Sequence, residues 1–129
     1  MKHKTAELEG FWLHYAVGKA EGFVDMLISP HPAGQPVRRF DRGSEVPYTD
    51  WAPAERWDQG GPIIERERIG VWPTDYFVSH ATLPGAPIEN FGAECRLPGR
   101  AWLMFGRTML EAGMRAFVAS KLGEEVELP

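Results

Sequence analysis

The residues whose types and spacing could do chemistry are concentrated in one stretch, "DWAPAERWDQGGPIIERERI", residues 50–69. It sets Trp51 and Trp57 beside Asp58 and Gln59, then Gly60, Gly61 and Pro62, then Glu65 and Arg66. Two indoles could wall a flat ligand. Pro62 suits the first position of a helix, because it has no N–H to leave unsatisfied and its φ is preset. The paired glycines give the backbone freedom to enter that turn. The free N–H groups of such a helix start favour an anion or a carboxylate. On this reading Trp51, Trp57, Asp58, Gln59, Gly60, Gly61 and Glu65 form a ligand-binding surface, with Arg66 and Arg115 as anion contacts. The same stretch offers an alternative. Asp50, Asp58 and Glu65 are close in sequence, and burial near Trp57 would raise a carboxyl pKa toward that of a general base. A small hydrolase or transferase would then use Asp58 or Glu65. The structural reading is plainer: the tryptophans roof the core, Asp58 caps its own helix, and Glu65 to Arg68 make a solvated charged face.

Other chemistry finds little support. His3, His14, His31 and His80 are scattered, with no H-x-x-x-H spacing and no cysteine pair, so neither a metal nor a cofactor is expected. Cys95, His80 and Asp75 have the right types for a nucleophilic site, but "FGAECRLPG" matches no nucleophile motif. A lone cysteine is more often a small buried hydrophobe. There is no phosphate loop and no G-x-G-x-x-G. No residue is assigned a catalytic role. Arg38, Arg39 and Arg42 could meet phosphate or an acidic partner. A charge-guarded edge strand is the plainer account of them.

The chain has 129 residues, 43% of them hydrophobic and 25% charged, the composition of one ordinary globular domain. A net charge of −4 and no basic stripe make nucleic acid an unlikely partner. No secretory h-region and no long apolar window are visible, so a cytoplasmic protein with no membrane contact is expected.

The elements that must hold these residues are read from periodicity. "ELEGFWLHYAVGKAEG" predicts a helix with a wide apolar arc and a polar stripe of His14, Gly18 and Glu21, stopping at Gly22. Strands are predicted at 23–29, "VRRF", "GVW", "YFVSHATL" and "AWLMF". Residues 30–36, 41–61 and 84–100 read as loop or turn. "RTMLEAGMRAFVASKLG" predicts a closing helix with a Thr108–Glu111 capping box, an exposed Glu111–Arg115 pair and Gly123 as C-cap. Its small residues Ala112, Ala116 and Ala119 predict close packing on the first helix. The tail "EEVELP" is expected to run off the end. The sum is a single α+β domain over 1–129: an N-terminal and a C-terminal helix packed together against a small sheet of short strands, with a loop-rich middle.

The Gly-Gly-Pro stretch and "MRAFVASKLGEEVELP" together resemble the NinX-like proteins of lambdoid phages and prophages, and "KTAELEG…AVGKAEG" is similar to their N-terminal helix region. Trp57, Gln59, Gly60, Gly61, Pro62, Ile63, Ile64 and Glu65 fit the family's Trp-x-Gln-Gly-Gly-Pro-Ile-Ile-Glu core, and Val118 to Gly123 fit its closing helix. Met109 stands where the family usually has proline. The resemblance implies phage or prophage origin and a small accessory protein in the host cytoplasm; it implies no reaction. The residues point to a non-enzymatic binding protein whose partner is a small molecule or a host protein. Five tryptophans and the small-residue helix face also suit a homodimer.

Overall fold

The computed structural model describes residues 1–23, 26–28, 37–40, 48–74 and 90–129. Strand β1 (Lys2–Lys4) and a 3₁₀ turn (Thr5–Glu7) lead into helix α1 (Gly10–Ala20). Strands β2 (Met26–Ile28), β3 (Val37–Phe40) and β4 (Tyr48–Trp51) follow, then helix α2 (Trp57–Arg66). Strands β5 (Gly70–Pro73), β6 (Phe91–Leu97) and β7 (Arg100–Gly106) precede helix α3 (Met109–Leu122), and β8 (Glu125–Glu127) ends the chain. All pairings are antiparallel: β2-β3-β4, β5-β6-β7 and β1-β8. This is an α+β fold. Among the described residues no helix is long and apolar enough to cross a membrane.

Helix α3 is the centre. Every residue from Leu110 to Ala119 is buried, because α1, α2 and the β5-β6-β7 sheet all pack on it. A helix covered all round needs small residues as well as large ones. Ala112, Ala116 and Ala119 let neighbours approach, while Leu110, Met114, Phe117 and Val118 fill the space between. The expected packing of the first helix on the last is present. From the sheet, Ala93, Cys95, Trp102 and Met104 face this core. Their register pairs Ala93 with Met104 and Cys95 with Trp102. Cys95 is therefore the small buried hydrophobe its isolation suggests. Burying a side chain such as Phe117 or Leu13, each fully inaccessible, contributes about 2–3 kcal/mol.

The closing helix begins as its sequence predicts. Thr108 Oγ1 accepts the Glu111 N–H at 3.1 Å. The Glu111 carboxylate reaches one residue beyond the usual box and accepts the Arg107 N–H at 2.9 Å. Gly123 ends the helix at φ +92°, where a side chain would be strained, and its N–H returns to the Ala119 carbonyl.

Several expectations are corrected. Residues 84–100 are not wholly irregular, since Phe91–Leu97 is the central strand of its sheet; Pro98 and Gly99 make the turn that ends it. The tail does not run off. Glu125–Glu127 pairs with Lys2–Lys4, and Thr5 secures the join by donating its hydroxyl to the Gly123 carbonyl at 2.7 Å. The predicted polar stripe of α1 is inside: His14 and Gly18 are buried. The Glu111–Arg115 pair is also buried rather than exposed, because α3 has no solvent-facing side over those turns. The 41–61 stretch contains strand β4 and the start of α2. The predicted strand 76–83 and loop 30–36 lie outside the described residues, as do Arg42, Asp75, His31 and His80.

Candidate functional site

Helix α2 starts earlier than the sequence suggests. Trp57 opens it, and Pro62 lies inside. The cause is Gln59. Its Oε1 accepts the Ala52 N–H at 2.7 Å and its Nε2 donates to the Asp50 carbonyl at 2.6 Å. One side chain thus ties the end of β4 and the turn 52–56 to the first turn of α2. Pro62 is tolerated because it sits on the exposed side, where water can satisfy the Asp58 carbonyl that loses its helical donor. Gly60 makes the approach possible. It is buried against the turn, and a Cβ there would press into the Pro53 carbonyl oxygen and come within 2.8 Å of Leu110 Cδ2. Gly61 faces the indole of Trp57, where a Cβ would make an ordinary 3.7 Å contact.

The nine residues singled out from sequence therefore separate. Trp51 is buried, edge-on to Phe23 at 5.1 Å between ring centres. Gln59 and Gly60 build the turn. Asp58 is exposed and takes both Nε and Nη2 of Arg56, at 3.2 and 2.8 Å. Glu65 is exposed. Arg66 pairs with Glu21 and Glu67 and lies 5.8 Å from the Phe117 ring centre. Arg115 is 3% exposed and donates to the Leu8 carbonyl at 2.8 Å and the Phe105 carbonyl at 2.7 Å, with Glu111 at 3.4 Å. It ties the entrance of α1 to the end of β7 through α3. Trp57 alone among the large aromatics of the stretch stands out, with 56% of its surface exposed.

Trp57 forms one wall of an open groove of about 460 Å³. Ala54 and Glu55 from the turn, Phe91 from β6, and Thr108, Met109 and Leu110 from the start of α3 complete it. Phe91, Met109 and Glu55 were not among the residues chosen from sequence. Phe91 falls in a segment read as irregular. Asp58 and Glu65 do not line this groove, so the two carboxylates proposed for acid–base work do not converge on it.

Glu55 has an unusual neighbour. His14 is buried under the turn, where Nδ1 accepts the Ala54 N–H at 3.4 Å and Nε2 lies 3.6 Å from Glu55 Oε1. Burial lowers the His14 pKa, and the attraction of Glu55 only partly opposes it. His14 is accordingly neutral at pH 7, with its remaining ring proton on Nε2, toward Glu55. Burial pushes the Glu111 carboxyl up, but the Arg107 backbone and side chain together with Arg115 outweigh it, and the net pKa is below the usual range. Among the described residues no cluster of three histidine, cysteine or acidic side chains could hold a metal ion.

What these features define is a small α+β protein with a buried central helix and one open, largely apolar groove beside an exposed tryptophan. The family described as Bacteriophage P22, NinX matches residues 4–121. The chain belongs to this NinX family, a family of phage proteins. No curated protein matches it.

Proposed function

We propose that this phage protein is a non-enzymatic binding protein that holds a segment of a host protein in the Trp57 groove. The observation that carries the reading is the exposure of Trp57 beside apolar walls. A tryptophan left in water at a groove costs burial that the core could have used. Tryptophan is also the residue type most enriched among binding anchors. A small-molecule site normally encloses most of its ligand, whereas this groove is open along one side, which favours a protein segment. The remainder of the Gly-Gly-Pro block supports the groove from behind: Gln59 and Gly60 set the turn that carries Ala54 and Glu55.

The test places a photo-crosslinking residue at Met109, which lines the groove and leaves Trp57 in place, and, separately, at the exposed Leu97 at the far end of β6, in host cells carrying the phage. A discrete adduct from position 109 and none from 97 is expected. Trp57→Ala should change stability by less than about 0.5 kcal/mol, as for an ordinary surface change, while abolishing capture of the same partner. Unfolding of Trp57→Ala, or identical adducts from 109 and 97, would overturn the reading.

A further inference from the structure

We infer that the groove selects a segment carrying an arginine beside apolar residues, the guanidinium lying between Glu55 and the Trp57 ring. The inference rests on the binding reading above and specifies its occupant. Charge complementarity carries it. The Glu55 side chain is 70% exposed and lines the same groove as the Trp57 indole and Phe91. Its neighbour His14 is neutral, so it leaves the carboxylate charge uncancelled. Among the described residues, the arginines flanking the groove are already engaged: Arg56 with Asp58, and Arg107 with Glu9 and Glu111. The positive ends of α2 and α3 each carry an acid in the first turn, Asp58 and Glu111, which offsets their pull on an anion. The rest of the lining is almost wholly apolar. An apolar trough with one carboxylate and one exposed indole is the composition that receives a cation on a hydrophobic stem, through an ion pair and a cation–π contact together. Arginine fits better than lysine, because its planar, weakly hydrated head can stack on the indole while it bonds the carboxylate.

The probes are acetyl-Leu-Arg-Leu-amide and its citrulline counterpart, which has the same shape without the charge. They are titrated into the ¹⁵N-labelled full chain, with the Trp57 indole resonance assigned through Trp57→Phe. The arginine peptide should shift the Trp57 indole and the amides of 54–57 and 108–110. It should bind about fivefold tighter than the citrulline peptide, the sum expected of one exposed ion pair and one exposed cation–π contact. High salt should shrink that preference, and Glu55→Gln should remove it. Equal binding of the two peptides would overturn the arginine inference and leave the groove as an apolar docking site. No shift with either peptide would also overturn it, while the crosslinking result still decides the binding reading.

Discussion

Gly60→Ala is the sharpest test of how the Gly-Gly-Pro block works. By helix propensity alone the change is favourable, because alanine in a helix interior is worth about 1 kcal/mol over glycine. The structure reverses the sign. A Cβ at Gly60 would overlap the Pro53 carbonyl oxygen, lie 3.2 Å from the carbonyl carbon and reach 2.8 Å from Leu110 Cδ2. Leu110 can shift, but the Pro53 carbonyl is backbone held by the Gln59 clamp on Ala52 and Asp50. Either α2 moves away from the turn or the clamp breaks. Overpacking of this kind costs about 1–3 kcal/mol, and loss of a clamp hydrogen bond about 1 more. Net of the propensity gain, a loss of about 2 kcal/mol is expected, a large share of the 5–15 kcal/mol typical of a domain. Gly61→Ala is the internal control. Its Cβ meets only Trp57 Cε3 at 3.7 Å, while the following Pro62 disfavours a Cβ in helical backbone and offsets the propensity gain, so it should stay close to the parent. Urea unfolding followed by circular dichroism reads both variants. The reasoning fails if Gly60→Ala is as stable as the parent, or if Gly61→Ala loses as much as Gly60→Ala.

Other outcomes follow from the same geometry. Arg115→Met keeps the apolar stem but leaves the Leu8 and Phe105 carbonyls without their donor and Glu111 without its buried cation. A loss of about 3 kcal/mol by thermal or urea unfolding is expected. Thr108→Ala removes the cap of α3 and should cost about 1 kcal/mol; a neutral result would mean that the Glu111–Arg107 bond alone suffices. The folded pKa of His14 lies below 6.5, so below about pH 6.5 the unfolded chain binds a proton that the folded chain refuses. Stability from this group is complete above that pH, falls as pH drops, and levels off at the folded value. His14→Gln should flatten that part of the stability curve and leave the lower one. There Glu111, with its folded pKa below 4.5, loses its contribution as pH falls through that folded value.

The first and last helices were legible in the sequence, and the segments between and beyond them less so. Helix α3 announces itself through Thr108, Glu111 and Gly123, each of which acts locally. Its burial is not local: Glu111 and Arg115 sit at the spacing of a surface pair, and only the arrival of α1, α2 and the sheet puts them inside. His14 misleads for the same reason, since a histidine between apolar turns reads as polar until the 52–56 turn closes over it. Pro62 misled by obeying a rule, the preference for a helix start, that Gln59 had already overridden by nucleating the helix one and a half turns earlier. Strands β1 and β8 are three residues each, too short for alternation to show, and they exist through each other.

The Gly-Gly-Pro block was read as either a site or a turn, and the geometry divides it by face. Its inward residues, Gln59, Gly60 and Ile63, fix where α2 begins and how near it lies to Pro53 and α3. Its outward residue, Trp57, passes over Gly61 and keeps 56% of its surface exposed. On the proposed reading, a binding wall at this turn needs only one further element, an acid whose charge survives. Glu55 meets that need because its partner is a histidine that burial keeps neutral. A lysine or arginine at position 14 would cancel Glu55, and an apolar residue would give up the Ala54 hydrogen bond. On that reading the groove depends on residues that do not line it, and variants at Gly60 or His14 should weaken the arginine-peptide shift of the Trp57 indole through the position of the turn.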